Sequence, residues 1–533
     1  MASWDFVIVG SGFGGSVSAL RLAEKGWNVL VLEKGRRWRK EDFPTSNWDV
    51  PNWMWKPKVG LRGFFEMSFF DHVTIVHGVG VGGGSLTYAN TLPMPKDEFF
   101  TNGSWAPLAD WKQELAQPYA TAKKMLGAAE NPSVTRGDRL MREIAREMGR
   151  EAHFHPTEVA VYFGEPDVEV DDPYFGGEGP RRTGCNFCGA CMTGCRVGAK
   201  NTLDRNYLHL AERRGVTVRD RTEVRAVRAK DGGGYAIEIG PSIGEGRDET
   251  LHADRVIFAG GVLGTVPLLL RMREDPRGLP RLSPRTGDLV RTNSEALIGV
   301  VSTNASEDFS KGVAITSILH TDDHSHVEPV RYGQGSGFFR MMMWPHAPGS
   351  NVLVRVGGAV RSLARSPVTW AKALTVPDLA KQSQILLYMR TLEGTMSFRL
   401  GRSFYTGLRR DLVSKLDPGT KGPSAFMKEA TELAERWAAK VGGVPMTVFT
   451  ETLSGVPTTA HILGGACMGA TAEEGVVDAR HRVHGYDGLY VIDGAAISAN
   501  PGVNPSLSIT ALAERAMSFV PRKGDPWPDE RGV

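Results

Sequence analysis

The chain has 533 residues, of which 41% are hydrophobic and 23% are charged, and this length predicts two or more globular domains. The formal net charge of +3 gives no basis for nucleic-acid binding, and no apolar stretch is long enough to span a membrane. Because no secretion signal precedes the first predicted strand, a cytoplasmic protein is the simplest interpretation.

The first 33 residues predict a dinucleotide-binding unit. They give strand, glycine turn, helix, strand and acid in that order, at residues 6–9, 10–15, 16–25, 29–32 and 33. Gly10 allows the tight turn, Gly12 lets the backbone approach a pyrophosphate, and Gly15 lets helix and strand pack closely. Glu33 can accept hydrogen bonds from a ribose diol and would repel a 2′-phosphate, so NADP is disfavoured.

A second glycine-rich loop follows an aromatic segment. Residues 48–70 are rich in Trp and Phe, which fits core packing or, alternatively, an apolar entrance for a greasy substrate. Residues 73–76 predict a strand, and residues 78–84 then include five glycines. Such a loop permits close approach of a flat ligand. It indicates a cofactor larger than a nicotinamide dinucleotide, with an isoalloxazine lying along the backbone.

Four of the five cysteines stand in one segment with C-x2-C-x2-C-x3-C spacing: Cys185, Cys188, Cys191 and Cys195. Iron–sulfur ligands of bacterial ferredoxins have this spacing, with proline after the fourth cysteine, where this chain has Arg196. Zinc usually takes two separated pairs of ligands. The alternatives are therefore an iron–sulfur cluster, one or two short-loop disulfides, and, less favoured, zinc or free thiols. The fifth cysteine, Cys467, is expected to be a buried packing residue.

The middle of the chain alternates between predicted helices and strands. Helices are predicted at residues 141–148 and 201–213, and strands at 216–219, 223–228, 235–239 and 255–260. The last of these strands is expected to return to the nucleotide-binding sheet. Residues 296–301 and 313–318 predict strands of a second sheet, which fits an inserted substrate-binding domain.

A basic region lies between residues 355 and 415, with eleven Lys or Arg against three acids. A basic and partly amphipathic region of this kind can lie on an anionic membrane surface. The alternative is an ordinary solvated helical face. It is favoured here, because such charge patterns are common on helices of water-soluble proteins.

Several blocks of this sequence resemble the glucose–methanol–choline (GMC) oxidoreductases, and above all their cholesterol-oxidase-like branch. These blocks are the opening motif with Glu33, the run GVGVGGGSLTYANT, and residues 256–270, 461–465, 489–494, 502–505 and 509–515. The resemblance implies an α/β fold, with a Rossmann-like FAD-binding domain and an inserted α+β substrate domain built on a mostly antiparallel sheet. The implied domains are residues 1–290 (with the cysteine-rich segment 183–200), 291–450 for substrate, and 451–533 for the rest of the FAD domain.

The resemblance also implies roles for particular residues. His461 would take the proton from a substrate hydroxyl while a hydride leaves for flavin N5, and Asn504 would hold the substrate oxygen. Glu328 roughly matches a glutamate that serves cholesterol oxidases in double-bond isomerisation, and a solvated glutamate at a strand end is an equal alternative. The implied FAD contacts are Gly10, Gly12, Phe13, Gly14, Gly15, Glu33, Gly78, Gly82, Gly83, Gly84, Ser85, Tyr88, Asn90, Val224, Gly260, Asp493, Gly494, Asn504 and Pro505.

Two positions qualify the resemblance. Tyr88 stands where cholesterol oxidases carry an asparagine, and this bears on flavin tuning and oxygen reactivity. His77 lies where some relatives carry a covalent link to the flavin, and non-covalent FAD is favoured for this chain.

The sequence thus predicts an FAD-dependent GMC-type alcohol oxidase or dehydrogenase acting on a bulky apolar, sterol-like alcohol. Its acceptor is oxygen or an external electron acceptor, nucleic acid is not a partner, and peripheral membrane contact stays open. One alternative is a dehydrogenase of another hydrophobic alcohol that passes electrons through an iron–sulfur cluster. Another is a flavin lyase or photodecarboxylase acting on fatty acids. The pair His461 and Asn504 argues against a non-enzymatic flavoprotein.

Overall fold

Two seven-stranded sheets organise the residues that the computed structural model describes, which are 3–244, 246–417, 419–420 and 422–527. Four parallel strands of the first sheet lie in the order Thr217–Arg219, Val29–Leu32, Ser3–Val9 and Glu249–Phe258. The last of these pairs along its first half with antiparallel Tyr235–Pro241 and along its second half with parallel Leu489–Val491. Thr222–Ala229 completes the sheet beside Tyr235–Pro241.

The strands and helices of this sheet follow from the apolar runs in the sequence. Val29–Leu32 is buried along its whole length, as expected for a parallel strand covered on both faces. The helix Phe13–Glu24 follows the first strand directly, as the motif predicts. It packs against two other helices, Tyr207–Arg213 and Ser506–Ser518, and the latter also contacts Trp111–Leu126. Residues from both ends of the chain therefore share one core.

Every neighbouring pair of strands in the second sheet is antiparallel, which confirms the predicted sheet type. Their order is Met343–Pro345, Gly443–Val448, Ala296–Ser302, Ser383–Arg390, Ser325–Val330, Ser317–His320 and Phe154–Pro156. The helices Lys428–Val441 and Arg136–Glu147 pack together beside this sheet, around Trp437. One strand of the sheet comes from residues 154–156, ahead of the range predicted for the substrate domain. The domain boundaries themselves stay a prediction.

Smaller elements complete the chain. Thr74–Gly78 pairs with antiparallel Phe65–Phe69 and with parallel Thr458–Thr459. A three-stranded sheet contains Val290–Arg291, Thr395–Gly401 and Asp411–Lys415, and short pairs join Trp55–Lys56 to Leu61–Arg62, Ala128–Glu130 to Glu158–Ala160, and Glu169–Val170 to Arg182–Thr183. The remaining α-helices are Val50–Trp53, Glu98–Thr101, Val262–Glu274, Val352–Arg365, Pro367–Leu374, Leu379–Gln382 and Phe449–Ser454. Among all these described helices, none is long and apolar enough to cross a membrane.

Several predicted elements differ from the structure in their bounds, and three of these differences have a clear local cause. The helix predicted at 141–148 begins earlier, because Thr135 and Asp138 cap each other's backbone N–H groups. The helix predicted at 201–213 is only Tyr207–Arg213, since the Asn206 side chain accepts from the Tyr207 N–H and starts it there. The strand predicted at 313–318 is Ser317–His320, because residues before it pair only through an isolated bridge.

Candidate active site

Most of the predicted site residues line a single cavity of about 470 Å³. Val9 and Leu32 contribute the carboxyl ends of parallel strands to its wall, and Leu297 and Ile385 contribute the second sheet. The predicted residues that line it are Gly10, Gly12, Phe13, Gly14, Glu33, Gly78, Gly83, Gly84, Tyr88, Val224, Gly260, His461, Asp493, Gly494, Asn504 and Pro505. The predicted residues outside its lining are Gly15, Gly82, Ser85, Asn90 and Glu328.

The glycines of the first turn divide into two kinds. A Cβ at Gly14 would lie 1.6 Å from the Ile492 carbonyl oxygen, and a Cβ at Gly10 would lie 2.4 Å from that of Ala259. Those glycines are required by packing between protein segments. A Cβ at Gly12 would meet no atom closer than 3.9 Å, although Gly12 lines the cavity. Only a ligand would therefore require a glycine there.

The second glycine loop is tied to the first turn. Gly83 has φ +53°, and a Cβ there would lie 2.7 Å from the Gly12 Cα atom. The Ser11 hydroxyl accepts from the Gly82 N–H at 3.1 Å and donates to Glu33 Oε2 at 2.7 Å. The Ser85 hydroxyl donates to the Gly82 carbonyl at 2.7 Å. Gly82 and Ser85 thus hold the loop in place through hydrogen bonds within the protein. The sequence suggested ligand contacts for both.

Glu33 and Val224 both line the cavity. Glu33 Oε1 accepts from the Gly35 N–H at 2.9 Å, and Oε2 accepts from the Ser11 N–H and hydroxyl. Burial raises the pKa of this carboxyl, against the effect of those hydrogen bonds. The strand carrying Val224 has a register shift between Val224 and Ala226. Such an irregularity leaves backbone groups free for other partners.

His461 and Glu295 form a buried pair at the cavity wall. The strand Thr458–Thr459 brings His461 to the cavity wall, and the ring Nδ1–H donates to Glu295 Oε2 at 2.6 Å. Glu295 Oε1 accepts from the Ala460 N–H at 2.8 Å, so the carboxylate holds both the ring and its backbone. Burial lowers the pKa of His461, but the charge and hydrogen bond of Glu295 outweigh it and raise the pKa.

Sequence reasoning missed Glu295. The available signal was an acid directly before the apolar run at residues 296–301, which is where a buried strand begins. Glu451 also lies near this carboxylate. Burial, with a contribution from the charge of Glu295, raises the pKa of Glu451 to about 8, so Glu451 is neutral at pH 7.

Asn504 connects His461 to a second buried carboxylate. Its hydrogen-bond partners assign the amide nitrogen toward Glu328, at 2.8 Å from Oε1 and 3.2 Å from Oε2. The amide oxygen then faces His461 Nε2, at a position 3.4 Å away. Glu328 is fully buried, with His326 Nε2 at 3.4 Å from Oε1. A solvated glutamate at a strand end, the alternative considered from sequence, is therefore wrong.

Asp493 and Tyr88 join segments around the cavity, whereas Asn90 lies outside its lining. Asp493 Oδ2 accepts from the Thr265 hydroxyl and the Gly261 N–H, at 2.6 and 2.8 Å. Burial raises the pKa of Asp493 to about 6. The Asn90 side chain is fully buried and faces away from the cavity, toward Cys191. Tyr88 lines the cavity and donates its hydroxyl to the Asn201 carbonyl at 2.9 Å.

The aromatic segment forms both core and cavity wall. Trp53 is completely buried and stacks on Phe65, with ring centroids 4.4 Å apart. Phe65 and Met67 line the cavity, whereas Trp48 is about half exposed at 47%. Core packing thus applies to Trp53, while an entrance for an apolar substrate stays a prediction.

None of the five cysteines forms a disulfide, so the disulfide alternative is wrong. Cys467 is 4% exposed, which confirms it as a buried packing residue. The four clustered cysteines line a second, smaller cavity. Cys191 is followed by Met192, which lines the large cavity.

The residues of the large cavity fit FAD. The helix Phe13–Glu24 begins there with no side-chain cap, so its first N–H groups and the positive end of its dipole are available to a pyrophosphate. The helix Ser506–Ser518 also begins at the cavity without a side-chain cap, beside Asn504 and Pro505. Gly12, Glu33 and Val224 would hold the nucleotide end of FAD, and His461 and Asn504 would face the flavin.

Comparisons with known proteins agree with this geometry. Two models described as GMC oxidoreductase match residues 180–272 and 411–513, and a model described as NAD(P)-binding Rossmann-like domain matches residues 8–41. A cholesterol oxidase of Acinetobacter baumannii is 42% identical over 98% of this chain and 95% of its own. A cholesterol oxidase of Mycobacterium tuberculosis is also 42% identical, over 98% of this chain and 92% of its own. The crystal structure of pyridoxine 4-oxidase from Mesorbium loti matches with TM-score 0.61 and 15% identity, covering 97% of this chain and 99% of that one.

Proposed function

This chain belongs to the GMC oxidoreductase family, and on that premise we propose that it uses FAD to oxidise the hydroxyl of a sterol-like alcohol to a carbonyl. The observation that carries the proposal is the buried pair of His461 and Glu295 at the wall of a largely apolar cavity. The pair supplies a base, and apolar side chains such as Phe65, Leu387 and Met446 suit a bulky substrate. The cholesterol oxidase relatives support the sterol class.

The proposed mechanism gives His461 the proton of the alcohol. Because Nδ1 donates to Glu295, the lone pair of the neutral imidazole is on Nε2, which can accept the hydroxyl proton. FAD, when bound, supplies the acceptor for the hydride that leaves the substrate carbon. Once His461 is protonated, Glu295 stabilises the imidazolium on one side, and the Asn504 amide oxygen faces Nε2 on the other.

The test is an anaerobic absorption spectrum of the purified protein before and after addition of a 3β-hydroxysterol. We expect two flavin bands that bleach on addition. In His461→Gln the bands should remain, and the bleaching rate should fall by about 10²–10⁴-fold, the usual contribution of a general base. Bands that never bleach with any sterol would refute the substrate class, and unchanged bleaching in His461→Gln would refute the role of the histidine.

Glu328 is proposed as the base for a following double-bond shift in the ketone product. It is buried and accepts a hydrogen bond from Asn504, which lines the cavity, so a single side chain separates Glu328 from the proposed substrate space. In Glu328→Gln, sterol-dependent bleaching should persist while the conjugated enone, followed by its ultraviolet absorption, no longer accumulates. Equal enone formation by Glu328→Gln and the wild type would contradict this role. Oxygen is the proposed final acceptor, by analogy with the oxidase relatives.

The proposed route of a lipid substrate is from an anionic bilayer. The surface helix pair Val352–Arg365 and Pro367–Leu374 carries exposed apolar side chains, namely Val352, Leu353, Val354, Val360, Val368 and Leu374. Leu353 is 81% exposed. The cations Arg361, Arg365 and Lys372 are also exposed, and no acid occurs between Glu328 and Asp378. Apolar side chains with flanking cations suit an anionic lipid surface.

Co-sedimentation with vesicles tests this surface. We expect binding to phosphatidylserine-containing vesicles, weaker binding to neutral ones, and at least a tenfold loss in the double variant Leu353→Asp/Val360→Asp. The matched control is Val134→Asp, which changes a valine that is also exposed, at 67%, but lies outside the helix pair. Equal vesicle binding by all three proteins would refute the surface and leave the oxidation proposal intact, since bleaching is measured with detergent-solubilised sterol.

A further inference from the structure

The four clustered cysteines form one nest. Cys185, Cys188, Cys191 and Cys195 all line the same small cavity, although an eleven-residue loop carries them. The loop reaches this shape through left-handed backbone, with φ +73° at Gly189 and +95° at Gly194. A Cβ at Gly189 would lie 2.1 Å from the Ser310 carbonyl oxygen, so its place against the neighbouring segment requires glycine. The fourth cysteine therefore faces the same cavity as the other three.

Backbone N–H groups point at the sulfur atoms of this nest. The Phe187 N–H donates to Cys185 Sγ at 3.4 Å, and the Lys200 N–H donates to Cys195 Sγ at 3.5 Å. Hydrogen bonds to ligand sulfurs are among the interactions that tune iron–sulfur centres. Thiols that only fill space have no need of them.

A buried cation stands beside the nest. Lys200 is 1% exposed, and its ammonium donates to the carbonyls of Cys191, Leu86 and Tyr88, at 2.8 to 3.0 Å. Within the described ranges, Lys200 makes no ion pair with a carboxylate. A buried charge is costly unless it is paired with an opposite charge. An anionic group held by the cysteines would supply that charge.

The nest does not suit a single ion. Zinc needs its four sulfurs at about 2.3 Å from one point. Over the residues that the structure describes, no three His, Cys, Asp or Glu side chains converge in that way. A cluster of several iron and sulfide ions is larger than one ion and holds its ligands farther apart.

We infer that Cys185, Cys188, Cys191 and Cys195 are the ligands of one iron–sulfur cluster of the [4Fe–4S] type, whose negative charge is balanced by buried Lys200. The inference goes beyond the proposed function, because it does not depend on the alcohol. Its site lies next to the FAD cavity, since Met192 follows Cys191 and lines that cavity. The Lys200 ammonium also lies 4.6 Å from the ring centroid of Tyr88, another residue of the cavity wall.

The test is metal and sulfide analysis of the full-length protein, purified without oxygen and then reconstituted with ferrous iron and sulfide. We expect about four iron and four acid-labile sulfide per chain, with an electron paramagnetic resonance signal after reduction by dithionite. The double variant Cys188→Ala/Cys191→Ala should lose at least nine-tenths of the iron. Cys467→Ala, which removes the cysteine outside the nest, should retain it.

Flavin content and thermal unfolding of each variant show whether it has folded, independently of the cluster. Iron-free protein after reconstitution, one zinc per chain, or full iron in the double variant would each overturn the assignment. Sterol-dependent bleaching of the flavin is recorded on the same samples. A protein that bleaches without iron refutes only the cluster, whereas one that holds iron without bleaching refutes only the proposed substrate.

Discussion

The hydrogen-bond partners of a buried histidine in this protein decide whether its pKa is raised or lowered. His461 and His481 are both buried against the protein interior. The His481 Nδ1–H donates to the Val491 carbonyl at 2.8 Å, and burial lowers the pKa of His481 to about 4. His461 has a carboxylate at 2.6 Å, and its pKa is raised. Of the two, only His461 has a carboxylate partner whose effect outweighs burial and favours the protonated form.

The substitution Glu295→Gln should change the pH dependence of alcohol oxidation. A base must be neutral to accept a proton, so kcat/KM of the wild type falls as the pH drops through the raised pKa of His461. The amide cannot stabilise the imidazolium, so the acid limb of the pH–rate profile should move to lower pH. At pH values above the acid limb, kcat/KM should also fall in Glu295→Gln. This loss should be smaller than the loss of about 10²–10⁴-fold expected when the base itself is removed.

Glu451→Gln is the matched control for this profile. Glu451 is a buried glutamate near Glu295, but it is already neutral at pH 7, because its pKa is raised to about 8. Replacing it by the neutral amide should leave the acid limb in place. A limb that shifts equally in both variants, or in neither, would show that the charge of Glu295 does not set the pKa of His461.

At the scale of elements, the opening glycine turn serves packing and binding through different positions. Gly14 allows the helix Phe13–Glu24 to contact the carbonyl of Ile492, a residue from the far end of the chain. Gly12 leaves open space on the cavity side of the same turn. The motif is therefore one local pattern with two separable physical functions.

Alanine substitutions at these two glycines should separate the functions. Gly14→Ala should lower the free energy of unfolding by about 1–3 kcal/mol or more, because its methyl group overlaps the backbone. Gly12→Ala should leave the FAD-free protein within about 1 kcal/mol of the wild type and weaken FAD binding at least about tenfold. Denaturant unfolding of the FAD-free protein and titration with FAD measure the two quantities. A Gly12→Ala variant that binds FAD normally would contradict the placement of the pyrophosphate.

At the scale of the whole molecule, residues of both sheets line one cavity. Its wall takes the glycine turns from the first sheet, strands from the second, and the segment around Asn504 from near the end of the chain. The cavity wall thus combines residues of different hydrophobic clusters, such as Leu32 and Leu387. Binding of FAD is expected to couple their stabilities.

FAD should therefore raise the unfolding temperature of the entire protein. A ligand present at 1,000 times its Kd stabilises the folded state by about 4 kcal/mol. At about 2.1 cal/mol/K per residue, the unfolding entropy of the 533-residue chain is about 1.1 kcal/mol/K, so this stabilisation corresponds to roughly 4 °C. Thermal scans with and without added FAD measure the shift, and Gly12→Ala should show a smaller one. An unchanged transition in the wild type would contradict a cofactor site between the sheets.

The sequence alone determined the fold class, the dinucleotide-binding turn, the family and a set of residues most of which line the cavity. It did so because a strand, a glycine turn and a helix are set by neighbouring residues, and because the C-terminal blocks keep a recognisable spacing. The glycine-rich stretch around Cys467 likewise indicated a buried packing residue. These properties are local, so a contiguous stretch of chain carries the information.

Only the tertiary structure decided which distant side chains meet. Glu295 and His461 are 166 positions apart, and nothing near either residue announces the other. The contact of Glu328 with Asn504, the difference between Gly12 and Gly14, and the single cavity shared by four cysteines likewise depend on chain segments brought together by folding. The physical reason is that hydrogen bonds, charge and steric fit act through space, whereas sequence patterns report only on neighbours along the chain.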